Sequence, residues 1–432
     1  MSNYNPYPAY KDSGVEWIGE VPEHWEVKPI KIIASCNDDS LPESFSPDTP
    51  IRYVDISSVS HDAGIAEPEF MLFGDAPSRA RRKARAGDVV VSTVRTYLKA
   101  VAAVDDAHAD CVYSTGFAVL RPRKEHLTPE FLKWLALNEL LIQAVESHSE
   151  GLSYPAINAS ELINLKTTLP SLSEQARIAS ILDRETARID ALIAKKTRFI
   201  ELLKEKRQAL ITHAVTKGLD PNVKMKDSGV EWIGQVPEHW KVARVKRLAS
   251  LRNERRNDVS TDTIYIGLED VEAGSGQYKP TNGSSRQSED STVGIFYEGD
   301  VLYGKLRPYL RKAIISEMAG CCSTEFLVLR AEKTEPRWLQ EWLLTPDVTH
   351  QIESGCEGAK MPRADWGHIG SIEVVYPDQP EQAKILTSLD RETARIDALI
   401  SKSEQSIILL KERRAAFITA AVTGQIDLRG KQ

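Results

Sequence analysis

Cysteine is scarce in this chain of 432 residues, with five at Cys36, Cys111, Cys321, Cys322 and Cys356. No pair has CxxC spacing and no His-x-His accompanies them, so a zinc site is not expected and the thiols read as reduced, in a cytoplasmic protein. No run of about 18 apolar residues occurs, so no membrane-spanning helix is expected. The opening Met1-Ser-Asn-Tyr-Asn-Pro-Tyr-Pro shows no basic stretch leading into an apolar one, so no secretory signal is expected. A Gly-x-x-x-x-Gly-Lys-Ser/Thr loop and a His-Glu-x-x-His motif are both missing, which argues against nucleotide hydrolysis and zinc-dependent hydrolysis. Asn5-Pro-Tyr-Pro lacks the second proline of an amino-methyltransferase site in place. Pro377-Asp378 with Glu381 and Lys384 has the wrong spacing for a nuclease carboxylate cluster and reads as a helix cap. No catalytic, cofactor-binding or metal-binding residue is therefore expected in this chain.

An excess of positive charge is lacking too, since the formal net charge is −7. A basic domain is the usual footprint of nucleic-acid binding, but binding answers to the local field and not to the global sum. The basic residues are clustered: Arg79, Arg81, Arg82, Lys83 and Arg85; Arg244, Lys246, Arg247, Arg252, Arg255 and Arg256; and Lys305, Arg307, Arg311 and Lys312. Solvated surface is the plainer reading of any one cluster.

What the chain does have is a duplication. Lys11-Asp-Ser-Gly-Val-Glu-Trp-Ile-Gly19 recurs letter for letter at Lys226 to Gly234, and Val21-Pro-Glu-His-Trp25 at Val236 to Trp240. Gly87-Asp-Val aligns with Gly299-Asp-Val, and Ser114-Thr-Gly-Phe with Ser323-Thr-Glu-Phe. Leu182 to Ile193 recurs unchanged at Leu389 to Ile400. The order is kept while the offset shrinks in small steps, as for two copies of one fold. The match is uneven. The opening segments and C-terminal stretches are near-identical, but the roughly 60 residues after each opening segment barely correspond, so one part of the unit does one job twice and another does two different jobs.

The constant stretches read as long helices. Residues 174–214 and 381–422 contain neither Pro nor Gly. Ser171-x-x-Glu174 and Asp378-x-x-Glu381 are capping patterns at their starts, and Gly218 and Gly424 follow their ends. Leu182, Ile189, Leu203 and Leu210 lie on a seven-residue row broken by Lys196; Leu389, Ile396, Leu410 and Phe417 repeat it with Ser403 at the break. Ile178, Leu192 and Phe199 are assigned as companions in the first copy and Leu399 in the second, giving a heptad seam. At 1.5 Å per residue such a helix spans roughly 60 Å and needs a partner; its twin, antiparallel, is the expected one. The divergent parts read as α+β domains, with strands at residues 51–56, 264–268, 89–91, 301–303, 117–120 and 326–329 and short helices from Pro129 and Pro336. Trp17, Trp25, Trp232 and Trp240 read as packing anchors. The resulting expectation is an internal pseudo-twofold α+β protein: an opening segment 1–25, a first globular domain 26–172, a central long helix 173–217, a linker 218–225, a second globular domain 226–379, a C-terminal long helix 380–424 and a tail 425–432.

Two repeats, each opening with Ser-Gly-Val-Glu-Trp-Ile-Gly-x-Val-Pro-Glu-His-Trp, resemble the target-recognition domains of type I restriction–modification specificity subunits. Pro-Ser-Leu-Ser-Glu-Gln-Ala-Arg-Ile (170–178) and Pro-Asp-Gln-Pro-Glu-Gln-Ala-Lys-Ile (377–385) are similar to that family's helix starts, and Gly299-Asp-Val-Leu to its Gly-Asp-Ile-Leu strand. The resemblance covers nearly the whole chain, with a departure where Ser92-Thr-Val-Arg95 stands against Gly304-Lys-Leu-Arg307. It implies a non-catalytic subunit reading an asymmetric, split double-stranded DNA site, one domain per half. It also implies two methyltransferase subunits docked on the helices, and endonuclease–translocase subunits joining them. S-adenosylmethionine, ATP and magnesium would be bound by those partners and not by this chain. DNA binding needs phosphate clamps and base readers. The candidates are Arg79, Arg81, Arg82, Lys83, Arg255 and Arg256 in the clusters. Arg95, Tyr97 and Lys99, with Lys305, Arg307, Tyr309 and Arg311, are expected to alternate along one strand face. Ser153, Tyr154, Lys360 and Arg363 stand in paired loops before the helices. The competing reading is a coiled-coil adaptor that holds two different protein partners.

Overall fold

The computed structural model describes residues 4–151, 153–260, 262–280, 291–356, 358 and 360–430. The first residues of the opening segment and the last two of the tail lie outside that set. The chain forms two compact units, residues 1–196 with 405–432 and residues 197–404, so the boundary runs through both long helices.

Each unit is built on two four-stranded sheets, the first of the same order in both units and the second sharing three of its strands. In the first, Val101–Ala103, Val89–Ser92, Phe117–Pro122 and Ala34–Cys36 lie side by side, all antiparallel. The second sheet runs Glu69–Leu72, Pro50–Val54, Val112–Ser114 and Ala80–Lys83, with Val112–Ser114 parallel to Pro50–Val54. The second unit repeats the first sheet as Ala313–Ile315, Val301–Gly304, Phe326–Ala331 and Ala249–Leu251. Its other sheet again pairs a parallel neighbour, Tyr265–Ile266 beside Gly320–Cys322. The Gly-Asp turns are explained by this frame. Asp88 is buried, receives the Arg85 amide at 2.8 Å and pairs with Arg121 at 2.7 Å. Its counterpart Asp300 receives the Tyr297 amide at 2.8 Å and pairs with Arg252 at 2.8 Å. The same buried carboxylate is neutralised in the first copy from the strand Phe117–Pro122 and in the second from the residue after Ala249–Leu251, and Arg121 acts here as a fold residue.

The helices run Leu172–Lys217 and Gln379–Val422. Two shorter helices, Pro129–Ala136 and Glu139–Ser147, stand where a single one was expected, and Pro336–Leu343 is likewise followed by Pro346–Glu353. The capping pattern holds by half. The Glu174 amide donates to Ser171 Oγ at 3.4 Å and the Glu381 amide to Asp378 Oδ1 at 3.0 Å. The Glu side chains, however, do not turn back on the cap. Glu174 accepts from Tyr7 Oη at 2.7 Å and contacts His24 Nε2 at 3.0 Å; Glu381 contacts His239 Nε2 at 2.7 Å and accepts from Trp240 Nε1 at 3.1 Å. The neighbouring Gln175 Oε1 accepts from the Thr128 amide and Gln382 Oε1 from the Glu335 amide, at 2.9 and 3.0 Å. The Glu-Gln pair thus ties the opening segment and the first short helix to the start of the long one, which is why the three constant motifs recur together.

In the first unit Ile178, Ala179 and Leu182 share a core with Phe417, Ile418, Ala421 and Val422, and with Trp25. In the second, Ile211, Ala214 and Val215 share one with Ile385, Leu386, Leu389 and Trp240. Rising numbers on one helix meet falling numbers on the other, so the segments run antiparallel within each unit. The ion pairs Arg414–Asp190 at 2.9 Å and Arg207–Asp397 at 3.0 Å are one contact made once per unit. Trp25 and Trp240 are fully buried, so their role is packing. The companion row of the seam differs from expectation by one residue: Leu192, Phe199 and Leu399 are 43%, 44% and 46% exposed, whereas Ile200 is buried. The inward rows, buried or half-buried, are 182-189-196-203-210 and 186-193-200-207-214, a 4-3 alternation in which Thr186, Lys196 and Arg207 occupy seam positions.

Candidate nucleic-acid interface

After Val89–Ser92 the chain makes a tight 3₁₀ turn, Thr96–Leu98, flanked by Arg95 and Lys99 at φ 52° and 49°. The second unit makes the same turn at Pro308–Leu310, flanked by Arg307 and Arg311 at φ 53° and 48°. The expected alternation along one strand face is therefore not formed, because the strand ends and two left-handed residues reverse the chain. A left-handed arginine or lysine is strained by roughly 1–2 kcal/mol relative to ordinary backbone, and four at matching positions mark turns held in shape by their surroundings.

The loop preceding each long helix supplies those surroundings. The Arg95 amide donates to Pro155 O at 2.7 Å and the Arg307 amide to Pro362 O at 2.8 Å. Val94 bridges Ala156, and Leu306 bridges Arg363. Thr96 Oγ1 bonds Ser149 Oγ at 2.9 Å, and the Arg95 guanidinium lies 4.9 Å from the Tyr154 ring centroid. A third segment closes the site: the Thr93 amide donates to Gly116 O, the Thr115 amide to Arg79 O, and in the second unit the Lys305 amide to Glu325 O. Arg95, Tyr97, Ser153 and Tyr154 thus belong to one exposed cluster, which Arg79 joins through its backbone while its guanidinium pairs with Asp55 at 2.8 Å; Arg307, Tyr309, Lys360 and Arg363 form the counterpart, with Lys305 half-buried beside them. A guanidinium beside an open aromatic face, as Arg95 is beside Tyr154, suits phosphates and base edges alike.

Other candidates face elsewhere. Lys99 Nζ reaches Glu139 at 2.9 Å, which raises its pKa above the ordinary lysine value, and Arg311 donates to Gln208 Oε1 and Leu344 O at 3.3 and 3.4 Å. Both buttress the turn from behind. Arg81, Arg82 and Lys83 lie on the edge strand Ala80–Lys83, where Arg81 stacks 4.8 Å from the Phe73 ring centroid. Arg255 and Arg256 pair with Gly294 and Val293, and Arg256 holds Glu254 at 2.8 Å. Glu325, which bonds Arg363, escaped the sequence reading; the signal was the single replacement of Gly116 by Glu325 inside an otherwise matching Ser-Thr-x-Phe motif. Among the described residues, no group of three or more His, Cys, Asp or Glu side chains could hold a metal, and no helix is long and apolar enough to cross a membrane.

A duplicated pair of mixed domains, each presenting a strained basic-aromatic turn against a loop at the foot of a long helix, defines a recognition protein with two differently furnished sites. Residues 22–202 match the family model described as Type I restriction modification DNA specificity domain. The chain is 22% identical to the Type I restriction enzyme EcoDI specificity subunit of Escherichia coli, over 69% of its own length and 70% of that protein's. It is 29% identical to the Type I restriction enzyme MjaVIII specificity subunit of Methanocaldococcus jannaschii, over 66% and 68%. Its fold is shared with the HsdS subunit from Thermoanaerobacter tengcongensis, at a TM-score of 0.52 and 23% identity, covering 94% of this chain and 98% of that one. A chain solved in work on complex assembly and conformational transition of the type I R-M system gives a TM-score of 0.73 at 22% identity, over 94% and 99%. The comparisons thus support a type I restriction–modification specificity subunit, by a family domain over residues 22–202 and by similarity to such subunits over about two thirds of the chain, and the adaptor reading is not favoured.

Proposed function

We propose that each unit reads one half of an asymmetric, split double-stranded DNA target through its turn-and-loop cluster, while the chain itself catalyses nothing. The observation that carries this is the site built twice on the same backbone, αL–3₁₀–αL, with different side chains on it. Identical scaffolds with unlike surfaces suit two half-sites of unlike sequence. Two methyltransferase subunits dock on the helices, and endonuclease–translocase subunits join them. Apolar side chains left open on the helices support that docking: Leu192, Ile408 and Leu409 in the first unit, Phe199, Leu202 and Leu399 in the second. S-adenosylmethionine, ATP and magnesium belong to those partners, and the complex works in the cytoplasm.

The test is a binding titration of the purified chain on duplex DNA at several salt concentrations, followed by incubation with S-adenosylmethionine, ATP and magnesium. Affinity falling steeply with salt, with neither methylation nor cleavage, is expected. Salt-insensitive behaviour, or turnover that survives repurification, would contradict the reading.

A further inference from the structure

The two sites differ most sharply at one pair of positions. In the second unit Arg363 Nη2 donates to Glu325 Oε1 at 3.0 Å. The backbone holds both ends of the pair: Leu306 bridges Arg363, the Ala364 amide donates to Lys305 O, and the Lys305 amide donates to Glu325 O. Glu325 is the more covered partner, with side-chain exposure of 25% against 57% for Arg363. Its second oxygen, Oε2, is buried without a hydrogen-bond partner. A carboxylate so placed requires its cation, so it fixes the arginine while leaving the rest of the guanidinium turned to solvent. In the first unit the matching positions are Gly116 and Ala156. A Cβ on Gly116 would stand 2.6 Å from Ile56 Cδ1 and 3.1 Å from Val94 Cγ2, so that slot is filled by apolar atoms and cannot accept an acid.

Resting on the DNA-reading function proposed above, we infer that Arg363, oriented by Glu325, reads a guanine in the half-site of the second unit, and that the first unit has no equivalent reader. A guanidinium held at Nη2 by one carboxylate oxygen keeps its remaining N–H donors free, and a parallel pair of them matches guanine O6 and N7 in the major groove. Pre-organisation removes much of the entropy cost of ordering a long side chain on binding. Glu325 is a positioning residue, since it acts through Arg363.

The test is selection by the full chain from a library of randomised duplex DNA, comparing wild type with Arg363→Lys, Arg363→Ala and Glu325→Gln. The wild type should enrich a split motif with a guanine at one position of one half. Arg363→Lys keeps the charge but loses the fork, so preference at that position should fall about 10- to 100-fold while the other positions, and the salt dependence of binding, stay as they were. Arg363→Ala should relax the same position, and Glu325→Gln should relax it less. An unchanged motif with Arg363→Lys overturns the assignment. So does a uniform loss of affinity at every sequence with Arg363→Ala, which would make Arg363 a phosphate clamp. A wild type that enriches no sequence takes the DNA-reading function down first, and this inference with it.

Discussion

Arg121 and Arg95 carry the same side chain and do different work. Arg121 closes a fork on Asp88, which is 2% exposed. Arg95 stands exposed beside an open tyrosine. Asp88→Ala leaves that guanidinium without its buried partner and should lower stability by about 3 kcal/mol; a denaturant titration checks it. Tyr97→Ala, by contrast, removes an exposed ring from the turn. It should leave the melting temperature within about a degree while weakening DNA binding by roughly 1–2 kcal/mol, measured by fluorescence anisotropy. Equal effects of the two substitutions on stability would mean the turn belongs to the fold and not to an interface. Burial also pushes the thiol pKa of Cys36 and Cys111 to about 11 and that of Cys322 to about 12. These groups stay protonated at neutral pH.

At the scale of elements, the repeat and both helices were legible because identical stretches and a missing Pro/Gly signal leave little else to form. The first seam row was legible too. The companion row was not, because Leu192-Ile193 and Phe199-Ile200 each offer two apolar neighbours, and only packing chooses between them. Ile200→Asp should therefore unfold the second unit's helix pairing, costing about 2–4 kcal/mol, while Phe199→Ser should cost under about 1 kcal/mol; circular dichroism melts separate the two. Helix ends can be tested in the same way. Gly424 has φ 76°, and a Cβ there would lie 2.3 Å from Pro22 Cδ, whereas at Gly218, with φ 80°, the nearest atom would be 3.4 Å away. Gly424→Ala should be the more destabilising substitution, since both strain the backbone but only one also collides. The double duty of Glu174 and Gln175 was hidden, because a capping pattern in sequence says nothing of a side chain turned toward a distant histidine.

Across the whole molecule, what sequence comparison between the two copies located was the divergent surface, and what it could not supply was which residues on that surface face the same way. The turn residues are legible by type, but alternation along a strand does not anticipate the two left-handed residues that reverse the chain, so in sequence Lys99 and Arg311 fall with residues that they support from behind. If each unit reads its own half-site, replacing residues 26–170 with the first domain of another family member changes one half of the target alone. Sequencing the modified DNA sites in cells that carry the complete system should then give a new motif in one half of the site, with the other half unchanged base for base. A change in both halves, or in neither while modification persists, would contradict it.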